Sequence, residues 1–118
     1  MIKLTDELKV YLSIDPTDMR KSINGLAAIV ASELEQTPSN GDVFVFCNRA
    51  RNKVKCLYWD KNGFVLHYKK LDRGRLKLNR CELTGVIEIT HDQLSWLLSG
   101  LDFMLMQQFP ENNYAHYF

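Results

Sequence analysis

The residues best suited to covalent chemistry in this sequence are Cys56 and His67, which fall on the same face of two neighbouring predicted strands. A thiol and an imidazole so placed could act as nucleophile and base, but only with a lowered thiol pKa and an open cleft. Half-buried Cys and His in a sheet are more often packing residues, so the pair reads as structural. Cys47, Cys56 and Cys81 show no Cys-x-x-Cys spacing. His67, His91 and His116 are scattered, with His91 reading as solvated at the start of a helix. Neither set has the spacing of a tetrahedral metal site or a disulfide framework. Asp60, Asp72, Glu82 and Glu88 could be drawn as a magnesium-binding carboxylate cluster, yet the first two lie in a strongly basic stretch. Gly41, Gly63, Gly74 and Gly85 are single turn glycines and form no phosphate-cradling loop. The expectation is a protein without catalytic residues, metal or cofactor.

Charge points elsewhere. The 15 Lys and Arg nearly balance the 14 Asp and Glu, but not along the chain. From Arg49 to Arg80 there are eleven bases (Arg49, Arg51, Lys53, Lys55, Lys61, Lys69, Lys70, Arg73, Arg75, Lys77, Arg80) and two acids, a surplus of nine, and the rest of the chain is acidic. Solvated strand ends are the plainer explanation of any one cluster. A surplus this concentrated brings a shared basic surface for a polyanion level with that explanation.

The chain has 118 residues, 46% of them apolar and 25% charged, which suits one domain over residues 1–118. Folding at this size hides roughly two thirds of the unfolded chain's surface, enough to dispense with staples. No run is long and apolar enough to span a bilayer, and Met1 to Glu7 lacks the pattern of a secretory signal, so the expected location is cytoplasmic.

Lys9 to Ile14 reads as a first strand ended by Asp15-Pro16-Thr17-Asp18. Met19, Ile23, Leu26, Ala27, Val30 and Leu34 then recur at helical spacing, with Arg20 and Lys21 in the first turn, where they oppose the helix dipole and so should face outward as contacts. Gly25 sits mid-helix, where close packing explains it best. Asp42–Cys47, Lys53–Trp59 and Phe64–Leu71 read as a meander joined by short turns. One face of the last pair carries Lys53, Lys55, Leu57 and Trp59 beside Phe64, Leu66, Tyr68 and Lys70, and the other carries Val54, Cys56 and Tyr58 beside Val65, His67, Lys69 and Leu71. In such a meander Lys69, Lys70, Arg73 and Arg75 converge on the turn bearing Arg49 and Arg51. Val86–Ile89 is a last strand, and Thr90-His91-Asp92-Gln93 a capping box for a second helix with Leu94, Leu97, Leu98 and Leu101 inward. Residues 107–118 form a tail. The order β-α-β-β-β-β-α gives an α+β domain, an antiparallel sheet with two packed helices.

Several separate blocks carry a resemblance. They are Thr17-Asp18-Met19-Arg20-Lys21-Ser22-Ile23-Asn24-Gly25-Leu26, Gly41 to Phe46, Lys53 to Phe64, Tyr68 to Arg75 and Gln93 to Asp102. In this order they resemble the accessory protein, often called TnpB or second-open-reading-frame protein, of the insertion sequence 66 family of bacterial mobile elements. The resemblance covers about residues 10 to 102 and implies a helper encoded beside a separate DDE-type transposase, with no catalytic residues of its own. Two departures stand out: Lys77-Leu78-Asn79 where many relatives have Trp-Pro, and a C-terminus without the basic residues that relatives often carry.

Together these readings give a non-catalytic accessory factor for DNA transposition whose partners are DNA and the transposase, bound through Arg20, Lys21, Arg49, Arg51, Lys53, Lys55, Lys69, Lys70, Arg73 and Arg75. The first rival is a module that contacts only the transposase. The second is a small hydrolase using Cys56 and His67, which selective alkylation of Cys56 near neutral pH would reveal.

Overall fold

A computed structural model describes residues 8–78 and 85–102. Arg80, Cys81, Glu82, His116 and the tail 107–118 lie outside the described residues. The elements follow the expected order: β1 (Val10–Ser13), α1 (Ile23–Ser32), β2 (Val43–Cys47), β3 (Lys53–Asp60), β4 (Gly63–Lys70), β5 (Val86–Ile89) and α2 (His91–Leu98). They form an α+β domain on one five-stranded sheet of order β4-β3-β2-β1-β5.

The meander of β2, β3 and β4 is antiparallel, as the short turns require. Its second hairpin closes at the Asp60–Gly63 pair, so the loop is Lys61-Asn62, with Lys61 in the left-handed region at φ 54°. The register sets Lys53 opposite Lys70, Lys55 opposite Tyr68 and Cys56 opposite His67, so both faces are composed as the alternation predicts. One pair departs from a purely antiparallel sheet. β1 lies between β2 and β5, parallel to the first and antiparallel to the second. The connection from β1 to β2 contains α1, and a helix-bearing crossover is what allows parallel pairing.

Each face of the sheet has its own core. On one, Leu26, Val30 and Leu34 pack against Phe44, Phe46 and Leu57. On the other, Leu94, Leu97 and Leu98 of α2, joined by Leu76 and Leu78, cover Val10, Leu12, Val43, Val45, Val54 and Cys56. β2 serves both faces and is buried throughout, which explains its unbroken apolar sequence.

α1 starts later than its stripe suggests. Asp18 Oδ1 accepts from the Arg20 amide at 2.9 Å, and the Lys21 amide donates to the Asp18 carbonyl at 3.1 Å, so residues 18–21 form a turn. A short Asp side chain that bonds its own backbone two residues on favours a turn over a helix. Met19 therefore packs on the first core from outside the helix. Gly25 faces this turn: a Cβ there would lie 3.3 Å from Lys21 Cβ, so close packing accounts for the glycine.

α2 opens on the expected capping box, with Gln93 N donating to Thr90 Oγ1 at 3.1 Å and Thr90 N to Gln93 Oε1 at 2.7 Å. It closes on a Schellman arrangement, in which Gly100 N bonds Leu97 O and Leu101 N bonds Trp96 O, with Gly100 at φ 80°. The helix thus ends before Leu101, which is exposed instead of completing the stripe. His91 is half-buried instead of solvated, and its Nε2 lies 2.8 Å from the Leu8 carbonyl, tying α2 to the strand lead-in.

Phe46 is wholly buried and Thr90 is an exposed cap. Phe46→Ala is expected to destabilise the fold by about 3–5 kcal/mol and Thr90→Ala by about 1 kcal/mol. Urea unfolding should report both as shifted midpoints at unchanged slope.

Candidate nucleic-acid interface

The basic residues singled out in the sequence divide into a set bonded to distant backbone carbonyls and an outward set. Lys55 is only 8% exposed although it lies in the most basic stretch of the chain. Its Nζ donates to the carbonyls of Met19 at 3.0 Å and Lys21 at 2.8 Å and lies 5.2 Å from the centre of the Tyr68 ring. A buried ammonium is tolerated only when its donors are met, and these carbonyls meet them. Lys69, on the opposite face, donates to the Leu98 carbonyl at 2.6 Å, a cation at the carbonyl end of α2 where the helix dipole favours one. Arg51 Nη1 donates to the Leu78 carbonyl at 3.2 Å, while its own carbonyl accepts from Leu76 N at 2.6 Å. All three side chains hold loops and helix ends against the sheet.

The outward set gathers around the β2–β3 turn. Asn48 builds that turn, its Oδ1 accepting from the amides of Asn52 and Lys53 at 3.0 Å each and its Nδ2 donating to Asn52 Oδ1 at 2.7 Å. Lys53 and Lys70 stand directly opposite each other across β3 and β4. Beyond Lys70 the chain stays against the turn, with Leu71 N on Asn52 O at 2.7 Å, so the exposed Arg73, Arg75 and Lys77 follow its edge. Among the described residues, neither Lys53 nor Lys70 has a carboxylate partner. The strand ends thus converge on the turn as expected, but Lys55, Lys69 and Arg51 sit inside that convergence as structural supports.

Across from the turn, Thr17, Asp18, Met19 and Arg20 face Asn48, Arg49, Ala50 and Lys53, with Tyr68 alongside, and these residues line a recess of about 490 Å³. Arg20 is highly exposed yet clamped to Asp18, with Nη2 2.7 Å from Oδ2 and Nε 3.0 Å from the same oxygen. Hydrogen bonds from Arg20 hold the Asp18 carboxyl at about 2, well below its ordinary value. The pair is therefore fully charged at neutral pH, and any contribution it makes is lost only as pH falls through that value. Lys21, although adjacent, lines a separate depression with Asp15 and Glu33. The structure brings Arg20, Arg49 and Lys53 together and leaves Lys21 apart.

Tyr68 lies in the recess too, on the face that also carries Lys53, Lys55 and Lys70, although sequence reasoning assigned it no binding role. It is 53% exposed, against the burial expected of a large ring in a sheet. The signal was present in the run Tyr68-Lys69-Lys70, an aromatic among cations.

The remaining chemistry is quiet. Cys56 is buried, and desolvation, with a smaller effect of Cys47, pushes its thiol up to about 12. His67 turns to Tyr58 instead, with Nε2 3.4 Å from the phenol oxygen and the two rings stacked. Among the described residues no group of three His, Cys, Asp or Glu is arranged to hold a metal, and no helix is long and apolar enough to cross a membrane.

The family model described as IS66 Orf2 like protein matches residues 8–108, which include the whole basic end of the sheet. The chain belongs to this family of insertion-sequence accessory proteins. It is similar to two proteins of Sinorhizobium fredii (strain NBRC 101917 / NGR234). One, "Uncharacterized protein y4jC", is 32% identical over 110 residues, covering 93% of each chain. The other, "Uncharacterized protein y4hO", is 36% identical over 108 residues, covering 92% of this chain and 93% of its own. No solved structure matches the chain.

Lys55→Met keeps the aliphatic stem and removes the ammonium, leaving the Met19 and Lys21 carbonyls without their donor. It is expected to lower stability by about 1–3 kcal/mol and to speed amide exchange at Lys21 in a hydrogen-exchange experiment. Cys56 should resist iodoacetamide at neutral pH in the folded protein and react once unfolded. Mass spectrometry of the labelled peptide reads this directly, and selective labelling of native Cys56 would revive a thiol mechanism.

Proposed function

We propose that this protein is a non-catalytic accessory factor for transposition of an insertion sequence, acting in the cytoplasm beside the element's transposase and holding DNA through the basic end of its sheet. The supporting observation is the Lys53–Lys70 pair. Like charges directly opposite on neighbouring strands are destabilising, and this pair has no carboxylate to offset it among the described residues. Arg73, Arg75 and Lys77 add exposed cations beside it. A polyanion relieves the repulsion, and the phosphates of DNA are regularly spaced anions of that kind. The neutral, buried Cys56 supports the non-catalytic part of the reading.

Phosphate contacts give binding a log–log salt slope of roughly −0.9 per neutralised phosphate on duplex DNA, so about four contacts correspond to a slope near −3.6. Changing Lys53, Lys70, Arg73 and Arg75 together to Ala should weaken binding to all DNA sequences and flatten the slope. Arg51 is spared because it holds Leu78. Anisotropy titrations over a salt series measure both effects, with a pull-down of purified transposase in parallel. Loss of transposase binding in the same variant, or a wild type with no salt-dependent DNA affinity, would favour contact with the transposase alone.

A further inference from the structure

We infer that the recess between the Thr17–Arg20 turn and the Asn48–Lys53 turn takes an unpaired nucleotide of DNA, with Tyr68 as the platform on which its base stacks. The inference rests on the proposed DNA contact and adds to it a preference for unpaired strand.

Tyr68 and Leu101 are the exposed large apolar residues among the described ones, and Tyr68 stands within the cationic end of the sheet. Lys55 Nζ lies over the ring, so the exposed surface of Tyr68 comprises its other face and its edge. The ring is carried by β4 directly opposite Lys55 and two residues before Lys70, which makes it a pre-positioned aromatic surface. Every nucleobase has a π-face that can stack on such a ring, and an unpaired one has it free. The recess, about 490 Å³ and open to solvent, has room for one unstacked nucleotide.

Charge within the recess is polar along its length. Lys53 lies on the turn side, beside Lys70, and suits the phosphates. Asp18 lies on the far side with its carboxylate paired to Arg20, so that side offers a phosphate no net positive charge. A strand would therefore keep its backbone along Lys53 and Lys70 and direct its base towards the side carrying Asp18 and Arg20, whose polar atoms face a base edge. Duplex contacts alone give no role to an exposed aromatic at this point.

The test uses the full chain and three fluorescent probes of the same sequence: a blunt duplex, that duplex with a short 3′ overhang, and that duplex with a short 5′ overhang. One of the overhang probes should bind at least about fivefold more tightly than the blunt one. Tyr68→Ala should bring the ratio of overhang to blunt affinity to about one, whereas Tyr68→Phe keeps it. Tyr68→Leu, which retains bulk over Lys55 without an aromatic face, should behave as the alanine variant and guards against a folding defect. A 2-aminopurine in the overhang should be quenched by the wild type and Tyr68→Phe only. Equal binding of blunt and overhang probes overturns the recess assignment while salt-dependent duplex binding leaves the proposed function standing; absence of all DNA binding overturns both. Tyr68→Ala that keeps the overhang preference but loses the transposase would reassign the recess to a protein contact.

Discussion

The ammonium of Lys55, buried between a turn and a sheet, is the interaction on which the basic end of the molecule depends. Taking a lysine out of water is unfavourable by several kcal/mol unless its donors are satisfied, and here the carbonyls of Met19 and Lys21 satisfy them. The bond also works in the other direction. It fixes two carbonyls of a turn that has no strand or helix of its own, so residues 17–21 stand at a set distance from the sheet. Gly25 belongs to the same arrangement, because a side chain there would press on Lys21 and displace a carbonyl that Lys55 holds. Asp18, Arg20, Lys21 and Gly25 are thus one local solution to anchoring the chain between β1 and α1.

Strand parity explains why so many cations near one sheet end do such different things. Lys53, Lys55 and Lys70 share a face, and Lys69 points to the other, where α2 ends. Lys55 lies two pairs further from the turn than Lys53 and meets the carbonyls of Met19 and Lys21. Lys53, at the strand's first position, is beyond their reach and remains half-exposed. A shift of two residues along one strand therefore separates a structural lysine from one available to a ligand.

Periodicity made the elements legible. The alternation along β3 and β4 placed both faces correctly, and the Thr90–Gln93 spacing marked the start of α2, because these depend on residues a few positions apart. What periodicity could not reach were contacts between distant segments. That β1 pairs in parallel with β2 depends on where α1 carries the chain, and the short alternating run in β1 is compatible with either direction. Leu101 has helical spacing, but Gly100 adopts a positive φ and ends the stripe first. The charge surplus located the basic end of the sheet without distinguishing cations bonded to distant carbonyls, such as Arg51 on Leu78, from those left in solvent. Composition counts charges; only the fold shows which are already engaged.

A domain with nearly balanced total charge can still present a concentrated positive surface if its acids lie elsewhere, and this fold achieves that by topology. In the sheet order Glu88 of β5 lies at the opposite edge from β4, the strand that bears Lys70. Within the described residues, Asp18 is the acid lining the recess, and Arg20 neutralises it locally. The field at the β2–β3 turn is dominated by its cations, and it weakens away from the turn over a distance comparable to the Debye length, about 8 Å at physiological ionic strength. Such a field acts on a polyanion close to the turn and fades before β5, at the other edge of the sheet.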